Sequence, residues 1–304
     1  QNALAESLQG RFFDLNLPIH ATNVPVIRLL SYQRKTGGKT MKIATAGFTC
    51  VDNYANLDNR HYPAGNGFDA LVNLAKMGVE CAVVSAVGPD KYGEEMFEVL
   101  KKYGVDSSHL HVLPGETSFM IMEMTENNDR VHVKNIPGVM DDFELTRDDV
   151  EFLKGYDYVH TEFSKVLYPY LAELQEAGCK IIFDLSTSYE RHTETETLLR
   201  NIDYAFMSYP QRDEHVKELM KKYQSLGPTL VVATFGEDGS LVWDGKEFYS
   251  AGITPAEKVV NTVGAGDSFL AGFMHGIMTG KSIPECQKEG ADLSAKIVAM
   301  FDPY

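Results

Sequence analysis

The stretch Asn261-Thr-Val-Gly264-Ala265-Gly266-Asp267-Ser-Phe-Leu-Ala-Gly-Phe273 holds the residue types most suited to chemistry. Two glycines flank an alanine, a carboxylate follows at once, and an apolar helical pattern runs on behind it. A turn of this kind leaves backbone N–H groups unpaired at a helix N-terminus, which makes an anion site for a phosphate or for charge growing on a transferring phosphoryl group. Asp267 then has two readings. It caps the helix, or it is a base that takes a proton from a hydroxyl attacking that phosphate.

Four further segments could do related chemistry. Gly47-Phe-Thr-Cys50-Val-Asp52 reads as a strand and turn ending in a carboxylate. Ala64-Gly65-Asn66-Gly67-Phe-Asp69 is a glycine loop that allows close backbone approach before a helix. Val232-Ala-Thr234-Phe-Gly236-Glu-Asp-Gly239 is a strand running into a glycine turn, and Ser208-Tyr-Pro210-Gln211-Arg-Asp-Glu214 precedes a helix. Read alone, Asp52 is a turn residue, Asp69 belongs to a helix start and Glu214 to a solvated helix face.

The elements that must position these groups alternate. Strand patterns at 81–87, 156–160, 180–185, 204–207 and 230–234 are interleaved with helical ones at 67–76, 94–103, 166–176 and 212–223. This alternation predicts an α/β fold with a mostly parallel sheet covered by helices. Two places break the rhythm. Residues 119–124 and 130–133 flank a polar turn at 126–129, and 241–244 and 247–249 flank Gly245, so each reads as a β-hairpin. No internal repeat or linker divides 41–304, which reads as one domain carrying a small β insertion. Residues 1–40 are basic where the remainder is acidic, and Met41 is expected to be the natural start, with an extension ahead of it.

Bulk properties narrow the function. The net charge of −15, without a strong Lys/Arg cluster, argues against nucleic acid or an anionic membrane as a partner. No apolar run is long enough for a membrane span. Cys50, Cys81, Cys179 and Cys286 form no CxxC pair, which fits a reducing cytoplasm better than a disulfide framework or a zinc site. Gly37-Gly38-Lys39-Thr40 imitates the end of a P-loop, but Gln33 stands where its first glycine is required, so that reading is rejected. His109 and His111 share one face of a possible strand with no third ligand nearby in sequence, and read as surface histidines. Arg130 follows a hairpin turn from which it could reach a substrate phosphate or carboxylate, with an exposed turn arginine the commoner case, and Trp243 reads as a packing residue.

The 261–269 stretch resembles the C-terminal signature of the ribokinase-type (PfkB) carbohydrate kinases, usually Asp-Thr-x-Gly-Ala-Gly-Asp, and matches to the family extend over nearly all of 41–304. The resemblance implies a ribokinase-like fold, with the β insertion as a lid over the sugar. It implies ATP and Mg2+ as co-substrate and ion, an anion hole at Gly264, Ala265 and Gly266, and Asp267 as base. It implies sugar contacts at Asp52, Gly65, Asn66 and Asp69, nucleotide contacts at Thr234, Gly236, Gly239 and Gln211, and Glu214 placing magnesium. Three departures stand out: Asn261 replaces an aspartate that helps hold a monovalent cation, Asp69 replaces an asparagine, and Gln211 replaces an asparagine. The expected partner is a small-molecule sugar, with pairing into a homodimer left open. Within the family the chain is similar to the fructosamine-type kinases at Cys50-Val51-Asp52, Gly65-Asn66, Asn128-Asp129-Arg130, Gly138-Val139-Met140, Phe183-Asp184-Leu185-Ser186 and Gly266-Asp267-Ser268-Phe269. A plain fructokinase or ribokinase, and a non-catalytic sugar or nucleotide sensor on the same fold, are the alternatives.

Overall fold

The structure, a computed structural model, describes residues 41–304. The expectation for residues 1–40 lies outside the described residues. In chain order the strands are β1 (Lys42–Ala46), β2 (Cys50–Tyr54), β3 (Arg60–Ala64), β4 (Glu80–Val87), β5 (Asp106–Val112), β6 (Phe119–Met124), β7 (Arg130–Ile136), β8 (Tyr158–Thr161), β9 (Lys180–Asp184), β10 (Tyr204–Ser208), β11 (Leu230–Thr234), β12 (Ser240–Trp243) and β13 (Phe248–Ala251). The helices are α1 (Asn66–Lys76), α2 (Lys91–Tyr103), α3 (Arg147–Leu153), α4 (Leu171–Glu176), α5 (Thr195–Leu198), α6 (Glu214–Leu226), α7 (Ala265–Met278) and α8 (Ile283–Ile297).

Nine strands form the main sheet in the order β13-β12-β11-β10-β9-β8-β1-β4-β5. It is parallel from β11 to β5, and only the β11–β12–β13 edge is antiparallel. Its inner strands are apolar at nearly every position because both faces are covered. Ala44, Val84, Val159, Phe183 and Val231 pack on one side, with Val150, Leu174 and Val216 from α3, α4 and α6. Ile43, Val83, Tyr158, Ile182 and Val232 pack on the other, with Leu71, Leu100, Phe273 and Cys286 from α1, α2, α7 and α8. The period-two alternation of strand side chains thus feeds two cores from one sheet.

The second sheet has four strands in the order β3-β2-β6-β7. The hairpin expected at 119–133 is present as β6 and β7. The sequence reading placed Asp52 at a turn after the first strand, and this is corrected. The first strand ends at Ala46, and Asp52 stands in the middle of β2, which pairs in parallel with β6 and antiparallel with β3. No alternation marks β2, because all five of its residues are buried. Tyr54, Tyr62, Ala64, Met122 and Val263 form a small third core beneath this sheet.

Residues 301–304 strap the two sheets together. The Phe301 ring packs on Tyr54 and Tyr62, with the Arg60 guanidinium 3.5 Å from its centroid. Asn73 Nδ2 donates to Pro303 O at 2.9 Å, and Tyr304 Oη donates to Pro63 O at 2.7 Å. Among the described residues no helix is long and apolar enough to cross a membrane.

Candidate active site

The parallel strands end along one edge, and the polar groups singled out in the sequence collect there. In open α/β sheets that crevice is where ligands bind. Gly264 is the N-cap of α7, held at φ +75°, and an added Cβ would lie 2.5 Å from Pro303 Cβ. Both the left-handed backbone and the contact require glycine. The turn is drawn tight by Ser268 N–H donating to Gly264 O and Ala265 N–H to Thr262 O. The Gly266 N–H meets no protein acceptor among the described residues and is exposed, as an anion site needs. Gly264 is the N-cap, so Asp267 lies not at the capping position but in the first turn of α7, where its carboxyl accepts its own backbone N–H.

Facing this turn is the start of α1. Gly65 sits at φ 137° with its would-be Cβ 2.5 Å from Phe48 O. Asn66 Nδ2 donates to Asp184 Oδ2 at 2.9 Å, and Asp184 Oδ1 accepts from Ser186 N–H at 2.7 Å. Asp69 is 3% exposed, and its Oδ1 has no partner. Asp52 reaches in from β2 and accepts a weak bond from the Cys50 thiol at 3.5 Å. Asp52, Gly65, Asn66, Asp69 and Asp267 are therefore brought together.

Several carboxyls in one crevice raise one another's pKa values. Burial, then Asp184, push Asp267 well above the carboxylate range, with Asp52 adding to this and Arg130 opposing it. Burial, then Asp267 and Asp52, do the same to Asp69. Burial raises Asp52 to about 7 against the pull of Cys50 and Arg130. Two of these participants carried little signal in the sequence. Glu162, raised to about 7 by burial, accepts the Phe48 N–H at 2.7 Å behind the strand end. Arg130, read as a turn arginine that could reach a substrate, is exposed and close enough to act on both Asp52 and Asp267. The lid hairpin carries it there. Thr262 Oγ1 donates to Asp129 Oδ1 at 2.6 Å, and Asn128 Nδ2 donates to Val259 O, so the hairpin tip touches the segment leading into the glycine turn.

The residues expected at the nucleotide form a neighbouring group. Thr234 ends β11 with its hydroxyl 3.5 Å from Ser208 Oγ, which in turn lies 3.9 Å from where a Gly266 Cβ would stand. Gly236 (φ 56°) and Gly239 (φ 80°) bound a short 3-10 turn. Arg212 was not singled out in the sequence, yet its guanidinium holds this turn through Asp238 O, Ser240 O and Ala251 O at 2.6–2.9 Å. Gln211 is exposed and donates to Asp213, the N-cap of α6. Glu214 opens α6 with its side chain 83% exposed and paired to Lys217 at 2.7 Å. It is outside the buried carboxyl cluster.

Asn261 is fully buried, and its amide is engaged by protein. Nδ2 donates to Tyr54 Oη and to Phe301 O, each at 2.9 Å, and Oδ1 accepts the Val263 N–H at 3.0 Å.

A buried carboxyl with a raised pKa sets a pH dependence of stability. Asp52 is favourable when protonated, so its contribution is present below its ordinary value of 3.8 and is lost as pH rises towards about 7. Asp52→Asn removes that loss. The variant is expected to be more stable than the parent at about pH 8, by about 4 kcal/mol of unfolding free energy at most, and near it at about pH 4. Thermal melts of both proteins across this range check it, and a gap that does not widen with pH refutes the assignment.

Residues 42–301 match the family described as pfkB family carbohydrate kinase. A fructoselysine 6-kinase of Shigella flexneri is 36% identical over 84% of this chain and 97% of its own length. A fructosamine kinase of Bacillus subtilis is 29% identical over 87% of this chain and 93% of its own. Among solved structures, Arabidopsis thaliana ribokinase complexed with ribose and ATP superposes with a TM-score of 0.75 at 20% identity, over 86% of this chain and 94% of the other.

Proposed function

The chain belongs to the pfkB family of carbohydrate kinases, and from that premise we propose that this ATP-dependent sugar kinase phosphorylates the 6-hydroxyl of fructoselysine or a related fructosamine. The observation that carries the reading is the unpartnered Oδ1 of the buried Asp69 beside Asp52, opposite the glycine turn and Asp267. Fructosamines carry a secondary ammonium next to a fructose-like body, and a buried carboxylate pair has a use for one. The names of the relatives that cover most of the chain agree with it.

In this mechanism Asp267 accepts the proton of the sugar hydroxyl as its oxygen attacks the γ-phosphorus of MgATP. The bond to the bridging oxygen breaks and ADP leaves. The N–H groups of the Gly264–Asp267 turn stabilise the charge on the transferring group. Asp52, Asn66 and Asp69 orient the sugar, and Arg130 on the lid offsets the carboxyl charge. Thr234, Gly236 and Gly239 line the nucleotide side, where the Arg212-braced turn keeps its shape. Gln211 and Glu214 would act on the magnesium of MgATP through water, which suits a solvent-facing carboxylate. Asn261 is better fitted to holding Tyr54 and residue 301 than to holding a monovalent cation.

We also propose a homodimer through β7. This edge strand has one neighbour, and Val131 and Val133 are 50% and 54% exposed. Light scattering of the purified chain tests it, and a monomer at micromolar concentration overturns it.

ADP release measured over a panel of fructoselysine, fructose and ribose tests the substrate. Fructoselysine is expected to give the highest kcat/KM. Preference for a plain sugar would move the protein to the fructokinase or ribokinase type, and no turnover on any sugar would favour a sensor.

A further inference from the structure

On the far edge of the main sheet, away from the carboxyl crevice, β5 turns His109 and His111 to the same side, as residues two apart on a strand must be. The fold then supplies what their sequence neighbourhood lacks. Asp149, in the first turn of α3, lies beneath them with no solvent exposure. His109 Nδ1 is 2.7 Å from Asp149 Oδ1, and His111 Nε2 is 2.8 Å from the same oxygen. All three ligand atoms lie within 4.8 Å of one another.

We propose that His109 Nδ1, His111 Nε2 and Asp149 Oδ1 form a binding site for a divalent transition ion of the zinc class. The site is separate from the magnesium that accompanies ATP. Two imidazoles and one carboxylate are a donor set for zinc, cobalt or nickel, whereas magnesium and calcium want oxygen. The carboxylate is already aimed, because its other oxygen, Oδ2, accepts from Thr146 N–H at 2.8 Å and Thr146 Oγ1 at 2.7 Å. Such outer partners orient a ligand before the ion arrives. The rings are also fixed. His109 stacks on Phe152 at 3.9 Å between centroids, and His111 lies against Phe143 at 5.7 Å.

The geometry asks for two adjustments, a slight opening of each N···O distance and a drawing together of the two nitrogens, which lie within 4.8 Å of each other. Bonds of about 2.0–2.1 Å around a tetrahedral ion set neighbouring donors roughly 3.3 Å apart, so each nitrogen need draw back from the oxygen by about half an ångström. The histidine side chains are 15% and 30% exposed, which gives an entry path and room for a water as fourth ligand. In the bound form each ring carries its proton on the nitrogen facing away from the ion. The bound ion would tie the edge strand β5 to α3. That is a structural clasp at a strand that, among the described residues, has one neighbour in the sheet.

The experiment titrates the full chain with Zn2+ against a chromophoric chelator, and records the visible absorption of Co2+ added in its place. One equivalent per chain is expected, with a tetrahedral cobalt spectrum and a rise of a few degrees in melting temperature on adding zinc. Mg2+ should not cause that rise. His111→Gln and, separately, His109→Gln should each weaken zinc binding by about 100-fold and abolish the rise. A cooperative melt of each metal-free variant establishes that it is folded. Stoichiometric zinc binding that survives in both folded variants, or its absence from the parent, overturns the proposal and leaves the three residues as a hydrogen-bonded clasp alone.

Discussion

Asp267→Asn is expected to lower kcat by roughly 10²–10⁴ while the sugar KM changes far less. The substitution keeps size and polarity, and it disturbs no cap, because Gly264 and not Asp267 is the capping residue of α7. What it removes is the ability to take a proton in the transition state. A second signature separates this from general damage. Burial and neighbouring carboxyls hold Asp267 well above the usual carboxylate range, so it must lose a proton before it can act as base. Activity of the parent should therefore fall on the acid side at a pH above that of an ordinary aspartate, and this limb should vanish from the residual activity of the variant. The variant should also fold at least as stably as the parent at neutral pH, since one charge fewer is buried. Steady-state kinetics across pH, with thermal melts, provide the check. Near-normal turnover in Asp267→Asn removes this residue from the chemical step.

The second large effect concerns selectivity. Asp69→Asn is expected to reduce the preference for fructoselysine over fructose by about 10–100-fold in kcat/KM, the range of one charge-assisted hydrogen bond of about 1.5–3 kcal/mol. The parent Asp69 is buried with an unpartnered oxygen beside Asp52 and Asp267. Desolvating that charge is unfavourable in the free protein, and a substrate ammonium would offset it, whereas a neutral sugar would not. Fructose turnover should change little or improve, so the loss falls on one substrate. The ratio of kcat/KM values for the two sugars, measured in parent and variant, decides it. An unchanged ratio, or a parent indifferent to the amine, removes the charge-pairing idea while leaving the kinase reaction standing.

What could be read in advance was local. The glycine turn and its aspartate are contiguous, and their placement at the head of α7 follows from sequence spacing alone. The alternation of strand and helix patterns gave the parallel sheet, because its inner strands are apolar runs. What could not be read depends on chain reversal over long distances. Arg130 reads as a hairpin arginine with reach, but which groups it faces is set only when β6 pairs with β2 and carries the hairpin tip to Thr262. Asp149 looks like a helix-capping residue, which it is, until α3 docks under β5 and the histidines find it. Glu162 has no motif, and what marks it is tertiary, the Phe48 N–H that it accepts and the place it fills against Gly47. Strands β2 and β3 were hidden for a different reason. The small sheet buries β2 on both faces, so the alternation that identifies a half-buried strand is absent.

The small sheet is built from two separate excursions of the chain, β2–β3 ahead of α1 and β6–β7 ahead of α3, joined by the parallel β2–β6 pairing and by the Asn56 amide, which bonds to the Met124 backbone in both directions. Neither hairpin buries much apolar surface alone, and an isolated two-stranded hairpin is marginal in water. Loop-closure entropy delays such distant pairings, so the main sheet must first bring the two excursions side by side. The small sheet is in this sense a late and separable folding unit. Its amides should open at lower free energy than those of β1, β4 and β8, so exchange at the border of the crevice should report local unfolding of these four strands and not of the whole molecule.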